Sequence, residues 1–279
     1  MKSTMPTGQV TLVGKGQCTL VDKGQCTLVG AGPGDPELLT IKAVKAIQAA
    51  TVLLVDDLVN DEIVQRYANP TARIVHVGKR GGCKSTPQAF IEKLMVSAAL
   101  EGHTVVRLKG GDPFIFGRGG EEVEALQAAG VEVSVVNGIT SGLAAVTSLG
   151  VPLTHREHAH GVVFITGHAK HEGSGTDWRA LAATARHAKL TLVIYMGVTG
   201  VKKIQGDLLT SLPFDTPVAV VQNASLPTQK QFVMQLGELA QKVEQLRLTS
   251  PSVIIVGDVV RGVALAQENI SGAQHTRAA

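Results

Sequence analysis

The chain has 279 residues, 26 basic and 23 acidic, and a formal net charge of +3, a balance that excludes a general nucleic-acid binder held by a basic stripe. No run approaches the ~20 apolar residues of a membrane span, and residues 1–8 lack the apolar core of a signal peptide, so a cytoplasmic protein with no membrane partner is expected. Three cysteines, Cys18, Cys26 and Cys83, have an odd count and no metal-ligand spacing, which predicts reduced thiols without a catalytic role.

Residues 8–31 hold three eight-residue copies, each with Gln-Val-Thr-Leu-Val or Gln-Cys-Thr-Leu-Val at its centre, and only the third runs into the glycine turn Gly30-Ala31-Gly32-Pro33-Gly34-Asp35-Pro36. The first two copies, within an extension over 1–23, are read as a duplicated part of the first strand, disordered or paired at an edge. Asp35 and Pro36 open a helix with Leu38, Leu39, Ile41, Ala43, Val44 and Ile47 on its apolar face. Strands follow at 52–55, ending at Asp56-Asp57, and at 74–77, ending at Gly78-Lys79-Arg80. Thr86 and Pro87 begin a helix with Phe90, Ile91, Leu94, Met95 and Ala98 inward, and a strand at 104–108 enters Lys109-Gly110-Gly111-Asp112-Pro113-Phe114-Ile115-Phe116-Gly117-Arg118-Gly119-Gly120-Glu121-Glu122. A helix over 119–129 and a strand over 131–136 complete an N-terminal α/β domain, 24–136, with a mostly parallel sheet.

A helix begins after 137–141, and strand-like runs recur at 162–166, 191–195, 218–221, 232–235 and 253–256. They predict a C-terminal α/β domain, 137–270, whose sheet is mixed because fewer helices separate its last strands. Residues 271–279 read as a loose tail.

The glycine turn at 30–35 fails as a dinucleotide fingerprint, because Asp35 stands at the last glycine position and Pro33 removes an N–H donor. An NAD-dependent oxidoreductase is therefore a weak alternative. In the segment 109–122, five glycines around Asp112, Arg118 and Glu121 cost conformational entropy that a plain connection has no reason to bear. Asp56 and Lys79 each follow a strand of the same sheet. The run His155-Arg156-Glu157-His158-Ala159-His160 matches no standard zinc spacing, so no metal is expected; Arg156 and His168, near the start and end of one strand region, are instead read as cations for an anionic ligand.

The motifs at 29–36, 77–80 and 106–122, with Pro152-Leu153-Thr154-His155-Arg156, Thr166-Gly167-His168 and Tyr195-Met196-Gly197, occur together and in order. In these residues the chain resembles the tetrapyrrole methylase family over roughly 24–265. The resemblance implies two α/β domains with a ligand cleft between them, a homodimer, S-adenosylmethionine as methyl donor (S-adenosylhomocysteine as product) and uroporphyrinogen III as substrate. It implies methylation at C2 and C7, giving precorrin-2 through precorrin-1, for sirohaem, cobalamin or haem d1. A related methylase acting on a later corrinoid intermediate is the nearest alternative. By position it places Pro33, Gly110, Gly111, Asp112, Ile115, Thr140, Ser141, Met196 and Ala224 at the cofactor. Asp56 and Lys79 fall on the acid/base pair, and Arg118, Glu121, Arg156, His168 and Met196 on the tetrapyrrole contacts. The dehydrogenase and chelatase module of fused sirohaem synthases has no counterpart in the sequence. Asn137 stands where the family commonly has proline, which predicts a looser approach to Thr140; Asp57 and Ala224 depart from a common arginine and glycine.

Overall fold

A computed structural model describes residues 9–13, 17–21, 24–78, 86–168 and 175–262. The chain divides into two compact units, Met1–Thr140 and Ser141–Ala279.

In the first unit, β1 (Gln9–Val13) and β2 (Gln17–Val21) pair with each other antiparallel, Gln9 opposite Val21, in a two-stranded sheet of their own. The expected pairing at a sheet edge is thus replaced by a local one; closing so short a loop costs little entropy. The third copy is β3 (Gln25–Gly30), followed by α1 (Ile41–Ala49), β4 (Val52–Val55), α2 (Asp61–Tyr67), β5 (Arg73–His76), α3 (Gln88–Leu100), β6 (Thr104–Lys109), α4 (Gly119–Ala128) and β7 (Glu132–Val136). The five strands lie in the order β5-β4-β6-β3-β7, all parallel, so their C-terminal ends share one edge.

Both faces are covered, which is why the inner strands read as continuous apolar runs rather than alternating ones. Val29, Leu53, Val55, Val106 and Leu108 pack with Ala43, Ile47 and Ile63 of α1 and α2 on one face. Cys26, Leu28, Val52, Leu54 and Val105 pack with Ile91, Met95 and Leu126 of α3 and α4 on the other.

Three local expectations are corrected. Asp35 caps only a 3-10 turn over Pro36–Leu38, Oδ1 accepting from Glu37 N at 2.8 Å; Leu39 is extended (ψ 141°), and Thr40 caps α1 anew by accepting from Ala43 N at 3.1 Å. The buried positions of α1 are Ala43 and Ile47, with Leu39 partly buried against the same core and Ile41 exposed. Phe90, expected inward, is exposed beside buried Ile91. Helix α2 is not legible by apolar spacing, since only Ile63 and Val64 are buried; Asn60 caps it through Glu62 N.

The second unit runs α5 (Ser141–Leu149), β8 (Gly161–Thr166), α6 (Trp178–His187), β9 (Leu190–Tyr195), α7 (Val201–Leu208), β10 (Pro217–Gln222), β11 (Lys230–Gln235), α8 (Leu239–Gln245) and β12 (Ser252–Val256). Its sheet, β11-β10-β12-β9-β8, is mixed as expected: β8 and β9 are parallel, and β12 runs against both β9 and β10. Two reversals point β10 the same way as β8 and β9, so the C-terminal ends of these three strands lie at one edge.

Candidate functional site

At the C-terminal edge of the first sheet, the turns after β3, β6 and β7 interlock through backbone. Ala31 N donates to Lys109 O at 2.7 Å, Gly111 N to Gly32 O at 2.7 Å and Gly32 N to Gly111 O at 3.2 Å. An added Cβ on Gly30 would strike the Gly138 backbone, and one on Gly138 the Gly111 carbonyl, so the close approach itself requires glycine. Gly111 turns with φ +67°.

Asp112, 7% exposed, is the pin of this assembly. Its Oδ1 accepts from Phe114 N at 2.8 Å, and Oδ2 accepts from Asn137 Nδ2 and Gly138 N, each at 3.1 Å. Asn137 therefore ties its turn to Asp112, and the looser approach expected from the missing proline is not what the structure adopts. Pro33, Gly110, Gly111, Asp112 and Thr140 are thus carried by these three turns.

Beyond Asp112 the backbone enters left-handed conformations at Phe116 (φ 53°) and Arg118 (φ 57°). Such residues cost of order 1–3 kcal/mol each and cluster at ligand clamps. Phe114, Ile115 and Phe116 are exposed. Arg118 grips Glu121 in a two-bond fork, Nε to Oε1 at 2.9 Å and Nη2 to Oε2 at 2.5 Å, with both side chains half exposed. That fork raises the Arg118 pKa. The two expected tetrapyrrole contacts are here partners of each other.

Behind the loop lies an ionic cluster that apolar patterning did not reveal. Alternation along β6 puts Arg107 and Lys109 on the face of Val105, under α3 and α4. Glu122 of α4 is fully buried, accepting from Arg107 Nε at 3.1 Å and from Lys109 Nζ at 3.0 Å through Oε1; Lys109 Nζ also lies 2.9 Å from Oε2. Gln88 Nε2 adds a bond of 3.3 Å. Burial first, then the Arg107 charge, pull the Lys109 pKa down. Arg107 Nη2 reaches Asp56 Oδ1 at 3.3 Å, after β4. Two cations two positions apart in an apolar strand were the available sequence signal. Lys79 and Arg80 lie outside the described residues. Cys26, beneath the same face, has its thiol pushed up to about 12, by burial first and by Glu122 second.

In the second unit, His168, Met196 and Ala224 follow β8, β9 and β10 at one edge. Tyr195 OH accepts from Gly142 N at 2.9 Å, which fixes the start of α5, with Ser141, near the end of β9. Met196 (φ 54°), Asn223 (φ 53°) and Ser225 (φ 68°) are left-handed; Met196 is exposed and Ala224 buried. Arg156 is placed differently. Its turn, closed by the His155 and Ala159 backbones and tied by Lys189 Nζ to Glu157 O at 3.1 Å, precedes β8. The length of β8, roughly 20 Å at 3.3 Å per residue, separates it from His168, so the structure does not bring these two cations together. In the same turn His155, Glu157 and His158, all exposed, offer ligand atoms within 4.8 Å of one another. A depression of ≈ 760 Å³ beside α7 and α8, lined by Lys202, Glu244 and Arg247 among others, includes none of the expected site residues.

The loop chemistry suits an adenosyl sulfonium. The nearest buried cations are neutralised by Glu122 and Asp56, Asp112 adds a buried carboxylate, and Ile115 offers an apolar surface.

The family of tetrapyrrole (corrin/porphyrin) methylases matches residues 25–240. The uroporphyrinogen-III C-methyltransferase of Pseudomonas aeruginosa is 50% identical over 235 residues, 84% of this chain and 93% of that protein. Siroheme synthase 2 of Aeromonas hydrophila is 47% identical over 83% of this chain, which spans 48% of that longer protein. The crystal structure of a uroporphyrin-III C-methyltransferase of Thermus thermophilus in complex with S-adenosylhomocysteine is 41% identical, with a TM-score of 0.72 over 85% of this chain and 99% of that one. The chain belongs to the tetrapyrrole methylase family.

Proposed function

We propose that the protein is an S-adenosylmethionine-dependent uroporphyrinogen-III C-methyltransferase, methylating C2 and then C7 to give precorrin-2 through precorrin-1. The observation that carries this reading is the 50% identity across 93% of the Pseudomonas aeruginosa enzyme. The interlocked turns around Asp112 support it from the side of the fold.

When bound, S-adenosylmethionine supplies an activated methyl group to a pyrrole carbon that is already a nucleophile. The protein's own share is then positioning, exclusion of water and removal of a proton from elsewhere on the methylated macrocycle, since the ring carbon that takes the methyl already bears a side chain and carries no hydrogen. In this proposal Pro33, Gly110, Gly111, Asp112, Ile115, Thr140, Ser141, Met196 and Ala224 surround the donor. The turns fixed by Asp112 present backbone without intruding side chains, and the exposed Met196 borders both donor and substrate. Asp56 accepts the proton; its carboxylate is anchored through Oδ1 and remains 31% exposed at the strand end. Lys79 is assigned proton donation or substrate anchoring on the family resemblance. Arg118, exchanging Glu121 for a substrate carboxylate, fixes the macrocycle by a two-bond fork. His168 gives a second polar contact. Arg156 remains a proposed carboxylate partner on the resemblance alone, as do a homodimeric assembly and a cytoplasmic location.

Incubation of the purified protein with uroporphyrinogen III and S-adenosylmethionine, followed by mass spectrometry, tests the assignment. The expected product carries two added methyl groups. Turnover of a later corrinoid intermediate with uroporphyrinogen III left unchanged would instead assign the related methylase reaction.

A further inference from the structure

We infer that Arg107 is a positioning residue that fixes the Asp56 carboxylate for proton acceptance, clamped from its far side by Glu122. The inference rests on the reading of Asp56 as the proton acceptor.

Lys109 Nζ lies 2.9 and 3.0 Å from the two oxygens of Glu122, so that buried carboxylate already has its counter-charge. The charge of Arg107, 2% exposed, is then left for Asp56, since a buried guanidinium stays protonated and needs an anion. Each nitrogen of the guanidinium makes one bond: Nε to Glu122 at 3.1 Å, Nη1 to Leu108 O at 3.3 Å and Nη2 to Asp56 Oδ1 at 3.3 Å. Held at three points beneath α3 and α4, it cannot swing with the loop. A purely structural cluster would close on buried groups alone. This one ends on a carboxylate 31% exposed at the strand edge where ligands are proposed to bind. Lysine at position 107 keeps the charge but cannot hold Glu122 and Asp56 in one planar fork.

A double-mutant cycle in turnover tests this, with Asp56→Asn, Arg107→Lys and both together, each variant checked by thermal melting and by S-adenosylmethionine titration. The expected result is a loss in kcat on the order of 100-fold for Arg107→Lys, the scale of a misplaced catalytic group, with cofactor affinity unchanged. In the Asp56→Asn background the same change should cost nothing more. Wild-type kcat for Asp56→Asn would overturn the reading of Asp56 and the inference with it. A large loss for Asp56→Asn, with Arg107→Lys either harmless or equally damaging in both backgrounds, would overturn the role of Arg107 alone. If melting shows that Arg107→Lys does not fold, Glu122→Gln, which removes the clamp's charge and leaves its shape, takes its place in the cycle; coupling to Asp56→Asn supports the inference and additivity overturns it.

Discussion

Two arginine–glutamate pairs flank the Gly110–Gly111 turn, and they do opposite work. Arg107 and Glu122 are buried, joined to Lys109 and Asp56, and fixed beneath α3 and α4. Arg118 and Glu121 meet in an equally direct fork, yet each side chain is half exposed and the backbone at Arg118 is left-handed. Solvent decides the difference. A surface pair is worth about 0–1 kcal/mol and exchanges partners readily, whereas breaking a buried pair strands a charge where water cannot reach it. The inner pair is thus a frame and the outer pair a replaceable latch.

The largest expected effect separates the two directly. Glu122→Ala should lower unfolding stability by about 3–5 kcal/mol, because Lys109 loses its buried counter-charge and Arg107 Nε its buried acceptor; Glu121→Ala should change it by no more than about 1 kcal/mol. Denaturant titration of both variants measures this, and equal losses would break the comparison.

The latch is sharpened by Arg118→Lys. An ammonium cannot reproduce a planar fork, so turnover of uroporphyrinogen III should fall by roughly 1.5–3 kcal/mol in activation free energy while S-adenosylmethionine affinity holds. Arg156→Lys, measured beside it, shows whether the cation beyond the far end of β8 shares that task. Losses in cofactor titrations as well as turnover would make Arg118 structural.

Asp112→Ala addresses the turn between the pairs. Phe114 N, Asn137 Nδ2 and Gly138 N lose their acceptor, and cofactor affinity measured by calorimetry should weaken by about 1–3 kcal/mol in a folded protein. Unchanged affinity would remove Asp112 from the proposed donor site.

The legible and illegible parts of the molecule follow the same division between local and distant causes. The turns at Gly30–Pro36 and Lys109–Glu122 were readable because glycine spacing and an Asp-Pro break act within a few residues. Arg118 and Glu121, three apart at a helix start, were also within reach of local reasoning. The meeting of Asp56, Arg107 and Glu122 was not, for it needs the neighbour order β4-β6 and the rotational phase of α4 together. Asn137 misled for the same reason: its effect on its own backbone was visible, its bond to Asp112 was not. The break at Leu39 turns on one extended residue within an otherwise helical pattern.

The smallest effect is expected at the N-terminus. Removing residues 1–23 should leave stability and activity nearly unchanged, because among the described residues β1 and β2 pair with each other alone while β3 lies inside the sheet between β6 and β7. Loss of folding on truncation would make the extra copies structural.

The proposed methylation is regiospecific, and methyl-labelled S-adenosylmethionine tests it most directly. Carbon-13 NMR of the product from uroporphyrinogen III should show two carbon-bound labels, at C2 and C7, appearing in that order. Label at any other ring carbon, or no carbon-bound label, would contradict it.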